Sequence, residues 1–522
     1  MGASEGIDWN ELGQLTPIGV VLAAALVVVF LDLVLSHKDR YILPWIALTG
    51  AVLGLASTFQ TATAPGFSAP WFTDFSAWMN MTPPKSVILG GAFCIDRFGL
   101  AIWMIACLAG ALSVLCTPPP HEDAALTTGE YHGLTLLAVA GMMLLSVSHD
   151  FMTLVVSLEI MSIATYILTA SSRDHVASNE AGIKYLVLGA FSTAFLLMGI
   201  AFYYGAFGSL SLAPSKPFMS MMINKSEETS YRLDLVYLSL AFILTGTLFK
   251  VGAAPFHFWI PDVYEGAPTA VTSLMATGVK AAAIAVVARI VFETFGMSMF
   301  RPYLVPMLSV MAVLTMFVGN IFAMRQTSVK RMLAYSGIAH TGYLLLAFLL
   351  RDGDAAPETI DSHTRAAAYY LLVYAIMTVG AFGVVSLVRE DGRPLETFED
   401  FAGLAKENPG IALCMAIFMF SLAGMPPAGG FFAKFLIFRG AVEQGFVVPA
   451  LLGILTSVAS LYYYLRVIVK MYMPAGDAHH AKEEEHAPAC RYSWGSSLLI
   501  YAAGIITVIV GIGLNTINAW LS

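Results

Sequence analysis

The chain has 522 residues, 58% of them hydrophobic and only 12% charged, with a mean hydropathy of +0.74. A soluble globular chain carries about 25% charged residues, so this composition excludes an ordinary soluble domain and implies an integral membrane protein. The net charge of −8 lies mostly in connections, and no basic patch points to nucleic acid.

The opening segment MGASEGIDWNELGQ is acidic and lacks the basic start of a signal peptide. The first apolar run therefore reads as a retained span. About fourteen such runs follow in order, at roughly 15–35, 41–60, 96–116, 133–148, 151–170, 181–206, 233–254, 269–293, 303–325, 329–350, 365–389, 411–438, 446–472 and 494–518. A span needs about 20 mainly apolar residues, and long unbroken runs mean helices rather than barrel strands. The expectation is an all-α polytopic membrane protein. An even number of spans places both termini on one side. Lysine and arginine are more frequent in the connections that hold Lys38, Arg40, Arg325, Lys330 and Arg331 than in the opposite set. That side reads as cytoplasmic, with both termini periplasmic.

The five cysteines, Cys94, Cys107, Cys116, Cys414 and Cys490, show no C-x-x-C pairing and read as packing residues. The polar insert before the third span, residues 60–90, carries no interpretable motif. The polar stretch GDAHHAKEEEHAPAC contains His479, His480 and His486, but alternating His and Glu in an Ala-rich loop read as solvated surface rather than a metal site. No phosphate-binding glycine motif is present, and no redox-cofactor site is visible.

Spans 7 and 12 each carry a Gly/Pro interruption near a lysine, KVGAAPFHF in one and AGMPPAGGFFAKF in the other. Paired interrupted helices in two halves of a chain point to a transport site. The expected division is residues 1–132 for helices 1–3, 133–293 for a first five-helix repeat, 303–472 for a second, and 473–522 for a polar loop and helix 14. An odd helix count per repeat makes the two copies inverted in the membrane.

Ionisable residues inside spans are costly, at about 2.5–3.5 kcal/mol each on insertion scales, and are functional candidates by default. Lys250, Lys280 and Lys434 lie deep in their runs; Lys184 is only a few residues inside span 6; Glu159 is the clearest acidic residue. Arg289, near a span end, reads as snorkelling to the interface. Burial disfavours the charged form of a lysine, so proton release comes within reach, whereas arginine stays charged. A carboxylate nearby acts in the opposite sense. Moving Glu159 toward or away from Lys250 would then load or unload a proton. Pro255 removes an N–H and frees the carbonyl of Val251, which water beside Lys250 would satisfy. His257 and His340 are candidate relays, since histidine titrates near neutral pH.

The segment FKVGAAPFHFWIPDVYEGAPTAVTSLMATGVKAA, together with LEIMSIATYIL, KRMLAYSGIAHTGY and AGMPPAGGFFAKF in the same order, resembles the antiporter-like membrane subunits of respiratory complex I, the NADH–quinone oxidoreductase. The resemblance covers roughly residues 15–518. PDVYEGAPT, and a lysine rather than a glutamate at Lys434, are similar to the N-type branch; no long amphipathic extension follows span 14, unlike the L type. The resemblance implies proton translocation coupled to quinone reduction elsewhere in a complex. It makes Glu159 the partner of Lys250 and Lys184 an auxiliary lysine. Lys280, His340 and Lys434 then lie on a hydrophilic axis, with Lys434 at the exit. It implies no catalytic or metal residue in this chain, with NADH, FMN, iron–sulfur clusters and quinone held by other subunits. The implied partners are other membrane subunits, phospholipids, protons and water, with quinone only indirect, in a bacterial plasma membrane. Two other readings remain open: a subunit of a multi-subunit cation/proton antiporter, and a scaffold that transfers no proton.

Overall fold

The structure, a computed structural model, describes residues 9–36, 39–63, 86–118, 124–213, 227–296, 300–351, 356–390, 393–473 and 494–512. His479, His480, His486, Cys490 and most of the 60–90 insert lie outside the described residues.

The chain is helical, as its composition requires. We number the main helices α1 Thr16–Val34, α2 Leu43–Thr63, α3 Arg97–Leu115, α4 Gly129–Val147, α5 Phe151–Thr169, α6 Val176–Phe207, α7 Glu227–Val251, α8 Trp259–Gly266, α9 Thr269–Thr294, α10 Arg301–Met324, α11 Val329–Leu346, α12 Pro357–Leu387, α13 Pro409–Ala423, α14 Gly429–Glu443, α15 Val447–Tyr472 and α16 Trp494–Ile512. Short polar residues start several of them: the side chains of Asp96, Thr128, Asp150 and Ser328 accept from the backbone N–H of Gly99, Tyr131, Met152 and Arg331. Among the described residues, strand structure is confined to two small antiparallel hairpins, Ser86–Ile88 with Phe93–Ile95 and Arg389–Glu390 with Arg393–Pro394.

Eleven of the described helices are long and apolar enough to cross a membrane. α11, the broken pair α13–α14, and α16 occupy the other three positions expected from the sequence. α9 is buried throughout and α12 almost throughout, whereas α1, α6, α10 and α15 turn most of their length outward. The outward residues are large and apolar, such as Phe30 and Leu33 on α1, Phe191 on α6, Val310 on α10 and Val448 on α15. In water such faces would be a liability; against lipid they are the favourable surface.

The two interruptions are built alike. α7 ends at Gly252 (φ 73°), whose N–H donates to Phe249 O while Ala253 N–H donates to Leu248 O. α13 ends at Gly424 (φ 82°), with Gly424 N–H donating to Ser421 O and Met425 N–H to Phe420 O. Both are left-handed glycine caps, in which two bonds reach back over the last turn. The first break is therefore made at Gly252, three residues before Pro255. Pro255, the residue expected from the sequence to open the helix, comes after the helix has already stopped.

Candidate functional site

α9 and α12 at the centre and α11 beside them gather the deep polar groups. Lys250, Lys280 and Lys434 are all buried. Among the described residues, no carboxylate lies within ion-pair distance of any of them.

Lys250 is in the last turn of α7, and its Nζ donates to Ser162 Oγ at 3.1 Å and Tyr166 Oη at 2.9 Å, both on α5. The expected pairing with Glu159 is not formed: Glu159 Oε1 instead accepts from Thr193 Oγ1 at 2.8 Å. Glu159, Ser162 and Tyr166 share one face of α5 at helical spacing. Lys250 thus meets the same face one to two turns beyond the carboxylate. That polar stripe is visible in LEIMSIATY, and Ser162 and Tyr166 are the hydrogen-bond partners that a search for charge alone misses.

Water was expected to satisfy the freed Val251 carbonyl. A side chain does so: Thr341 Oγ1 on α11 donates to it at 3.1 Å, while Thr315 Oγ1 on α10 accepts from Ala254 N–H at 2.9 Å and Trp259 Nε1 donates to Phe249 O at 3.0 Å. Thr341 Oγ1 also lies 3.2 Å from Gly337 O, the atom to which Lys280 Nζ donates at 2.6 Å. The end of the Lys250 helix and the Lys280 ammonium therefore meet at one turn of α11. A wide turn over Met275–Val279, with π-helical bonding, immediately precedes Lys280. Such bulges are frequent at functional sites.

From Lys280 a continuous series of contacts runs to Lys434. Lys280 Nζ lies 5.3 Å over the ring of Tyr374. Tyr374 packs on His340 at 4.9 Å between centroids, and His340 on Tyr343 at 5.7 Å. Lys434 Nζ lies 5.2 Å over the Tyr343 ring. His340 is pinned at both nitrogens, with Nδ1 2.6 Å from Tyr370 Oη and Nε2 3.2 Å from Tyr464 Oη. Lys434 Nζ donates to Leu422 O at 2.9 Å, Ala423 O at 3.0 Å and Ser457 Oγ at 2.8 Å. An ammonium at the carbonyl end of α13 is favourable, since those carbonyls lack helical partners and carry the negative end of the helix dipole.

The remaining candidates lie elsewhere. Lys184, 40% exposed at its side chain, pairs with Glu180 at 2.7 Å and Asp262 at 3.0 Å. Asp262 also pairs with Arg331 at 2.9 Å, and Arg331 with Glu265. This network rims a cavity of about 750 Å³ at the start of α11. Lys330 Nζ, in the same rim, donates to Glu265 O, Ala267 O and Glu396 Oε1. His257 sits partly exposed between α7 and α8, with no hydrogen bond or ion pair to a described lysine. Arg289 does not snorkel. It is buried, with Nε on Ser146 O at 2.7 Å and Nη atoms on Asp96, Glu293 and Cys94 O. The sequence placed it near a span end but gave no sign that Asp96, far off in the chain, would fold onto it.

The family described as NADH:quinone oxidoreductase/Mrp antiporter, TM, matches residues 148–460. A relative from Trichlorobacter lovleyi named NADH-quinone oxidoreductase subunit N is 39% identical over 471 residues, spanning 90% of this chain and 88% of the relative. Its namesake from Myxococcus xanthus is 40% identical over 462 residues, 84% of this chain and 86% of that one. A chain of respiratory complex I from Thermus thermophilus with bound aureothin superposes with a TM-score of 0.74 at 30% identity, covering 96% of this chain and 98% of that chain. A chain of the Mrp complex from a Dietzia species superposes with a TM-score of 0.77 at 20% identity, over 98% of this chain and 96% of that one, which shows a shared fold.

Proposed function

This chain belongs to the NADH:quinone oxidoreductase/Mrp antiporter family, and on that premise we propose that it is the N-type membrane subunit of a proton-pumping NADH–quinone oxidoreductase. It moves protons through its buried lysines and His340, driven by quinone reduction in other subunits, which hold the NADH, FMN, iron–sulfur and quinone sites. Its partners are the neighbouring membrane subunits and phospholipids of a bacterial plasma membrane. Fourteen spans, with both termini periplasmic, put the Lys184–Asp262–Arg331 rim on the cytoplasmic side. Spans 4–8 and 9–13 form two inverted repeats, a division supported by the matching glycine caps at Gly252 and Gly424.

The observation that carries this reading is the unbroken contact series from Lys280 through Tyr374, His340 and Tyr343 to Lys434, joined through Thr341 to the end of the Lys250 helix. Three buried lysines without carboxylate partners are expensive, and a scaffold gains nothing from them. Glu159, held by Thr193 of α6, lies one turn from Ser162 on the same face of α5, within reach of a shift of Lys250 from its hydroxyl partners toward the carboxylate.

Lys250→Ala tests the reading. In membrane vesicles carrying the assembled complex, we expect NADH oxidation to continue while acidification of the lumen is lost or strongly reduced. Full pumping by this variant rejects the proposal. A cation/proton antiporter subunit would instead support sodium-dependent proton flux and would not co-purify with NADH dehydrogenase subunits.

A further inference from the structure

Two of the deep lysines lie over a tyrosine ring to which they make no hydrogen bond, Lys280 5.3 Å from the Tyr374 centroid and Lys434 5.2 Å from Tyr343, whereas Lys250, 5.4 Å from the Tyr166 centroid, bonds that residue's hydroxyl at 2.9 Å and so sits at its oxygen edge. The rings of Tyr374 and Tyr343 come from different helices, α12 and α11. Their common feature is not a shared local motif. It is that the fold brings an aromatic face to the Lys280 and Lys434 ammoniums, which have no carboxylate within ion-pair distance among the described residues.

The other partners of these lysines are neutral oxygens: two hydroxyls for Lys250, one carbonyl for Lys280, and two carbonyls and a hydroxyl for Lys434. A hydroxyl can accept from an ammonium or donate to a neutral amine. A ring face is selective, because its negative quadrupole attracts the cation and has little hold on the neutral amine. It does so without adding a charge of its own. A carboxylate partner would hold the proton more tightly and would leave a bare buried anion once the lysine gave it up.

The tyrosines are fixed for this task through their hydroxyls or edges rather than through the lysine alone. Tyr343 Oη accepts from Asn320 Nδ2 at 3.0 Å, and Asn320 Oδ1 accepts from Tyr463 Oη at 2.9 Å. Tyr374 is held against His340.

We infer that Tyr374 and Tyr343 are positioning residues of the proton route, each stabilising the protonated form of its lysine by a cation–π contact and releasing the neutral form. The inference rests on the reading of this chain as a proton pump. It adds that the ring face, not merely its bulk, sets how readily each lysine is loaded.

Tyr343 gives the cleanest test, since its hydroxyl bonds Asn320 and no hydrogen bond joins it to Lys434, whose Nζ lies over its ring. Three variants of the whole complex are compared in vesicles: Tyr343→Phe, Tyr343→Leu, and a chain carrying 3,4,5-trifluorophenylalanine at position 343. The fluorinated ring fills nearly the same volume as phenylalanine but has a depleted face. Protons translocated per NADH oxidised are measured, with NADH:quinone activity reporting assembly. We expect Tyr343→Phe to keep most of the pumping, and both the fluorinated ring and Tyr343→Leu to lose roughly threefold to thirtyfold. Equal pumping by the phenylalanine and trifluorophenylalanine chains overturns the inference and makes the ring a packing element. If Lys434→Arg and Lys250→Ala also pump normally, the proton-pump reading itself fails; if they stop pumping while fluorination has no effect, only the role of the ring face is rejected.

Discussion

Lys280 reaches its acceptor because residue 337 is glycine. A Cβ at Gly337 would stand 2.9 Å from Lys280 Nζ and 3.1 Å from Tyr374 Oη, where the ammonium and the ring edge now fit. Gly337→Ala therefore pushes Nζ off the Gly337 carbonyl. A hydrogen bond to a charged group contributes about 1.5–3 kcal/mol, so we expect proton translocation to fall about tenfold while the helix, for which alanine is the better former, remains intact. Vesicle acidification with unchanged NADH oxidation checks this. At Lys434 the corresponding substitution tests chemistry rather than fit. Arginine keeps the positive charge that caps the Leu422 and Ala423 carbonyls but cannot release a proton at physiological pH. Lys434→Arg is expected to assemble and to pump poorly. Normal pumping would remove Lys434 from the route.

Helix α11 is the element on which the site converges. On one side it presents Gly337 and Thr341 to Lys280 and the end of α7; on another, His340 and Tyr343 face Tyr370, Tyr374 and Lys434. Its close approach to α10 is allowed by Gly319, where a Cβ would lie 2.4 Å from Ala339 N. Thr341→Val, nearly the same shape without the hydroxyl, leaves the buried Val251 carbonyl without its donor, at about 1–3 kcal/mol. We expect lower thermal stability and weaker pumping, with both restored by Thr341→Ser; an unchanged melting profile for the valine variant would show that the carbonyl is satisfied in another way. Much of this element scale was legible in the sequence. Long apolar runs mark the helices, and the Gly/Pro clusters in KVGAAPFHF and AGMPPAGGFF mark the regions of the breaks, although the residue that makes the first one is Gly252 rather than Pro255. The lysines stood out because charge in an apolar run is rare. Their partners did not, because tyrosine, serine and threonine are ordinary residues of membrane helices, and only the packing of α5, α11 and α12 shows which of them meet a lysine. The direct Glu159–Lys250 contact is not formed for a related reason: the sequence places both inside membrane helices but does not fix their heights to within one turn, and the two remain neighbours rather than a bonded pair.

Across the whole molecule, charge is organised differently at the two ends. At the cavity end Asp262, Glu265, Lys184 and Arg331 tie α6, α8 and α11 through partly exposed pairs. Such pairs contribute about 0–1 kcal/mol each and weaken in salt. Asp262→Asn should therefore leave the complex assembled, with at most a small loss of thermal stability that disappears at high ionic strength. At the opposite end Arg289 is buried, and one guanidinium joins α9 to Asp96 at the start of α3, to Cys94 in the hairpin strand, and to Ser146 near the end of α4. Glu293, one turn on, bonds both Arg289 and His149. Arginine suits this place because its planar fork serves several acceptors at once, which a lysine ammonium cannot match. Removing the cation alone leaves the part-buried Asp96 and Glu293 without their guanidinium, with the Gly99 N–H and His149 still beside them; breaking a fully buried pair costs about 3–5 kcal/mol, and this one less. We expect Arg289→Leu to reduce the amount of chain retained in the membrane and to lower the melting temperature of any complex recovered by several degrees. Arg289→Lys should recover part of this, and the triple change of Arg289→Leu, Asp96→Asn and Glu293→Gln should recover more, because it removes the stranded charges along with the cation. A single Arg289→Leu variant as stable as the parent, or a triple variant worse than the single one, would show that Arg289 is not the electrostatic anchor of this end.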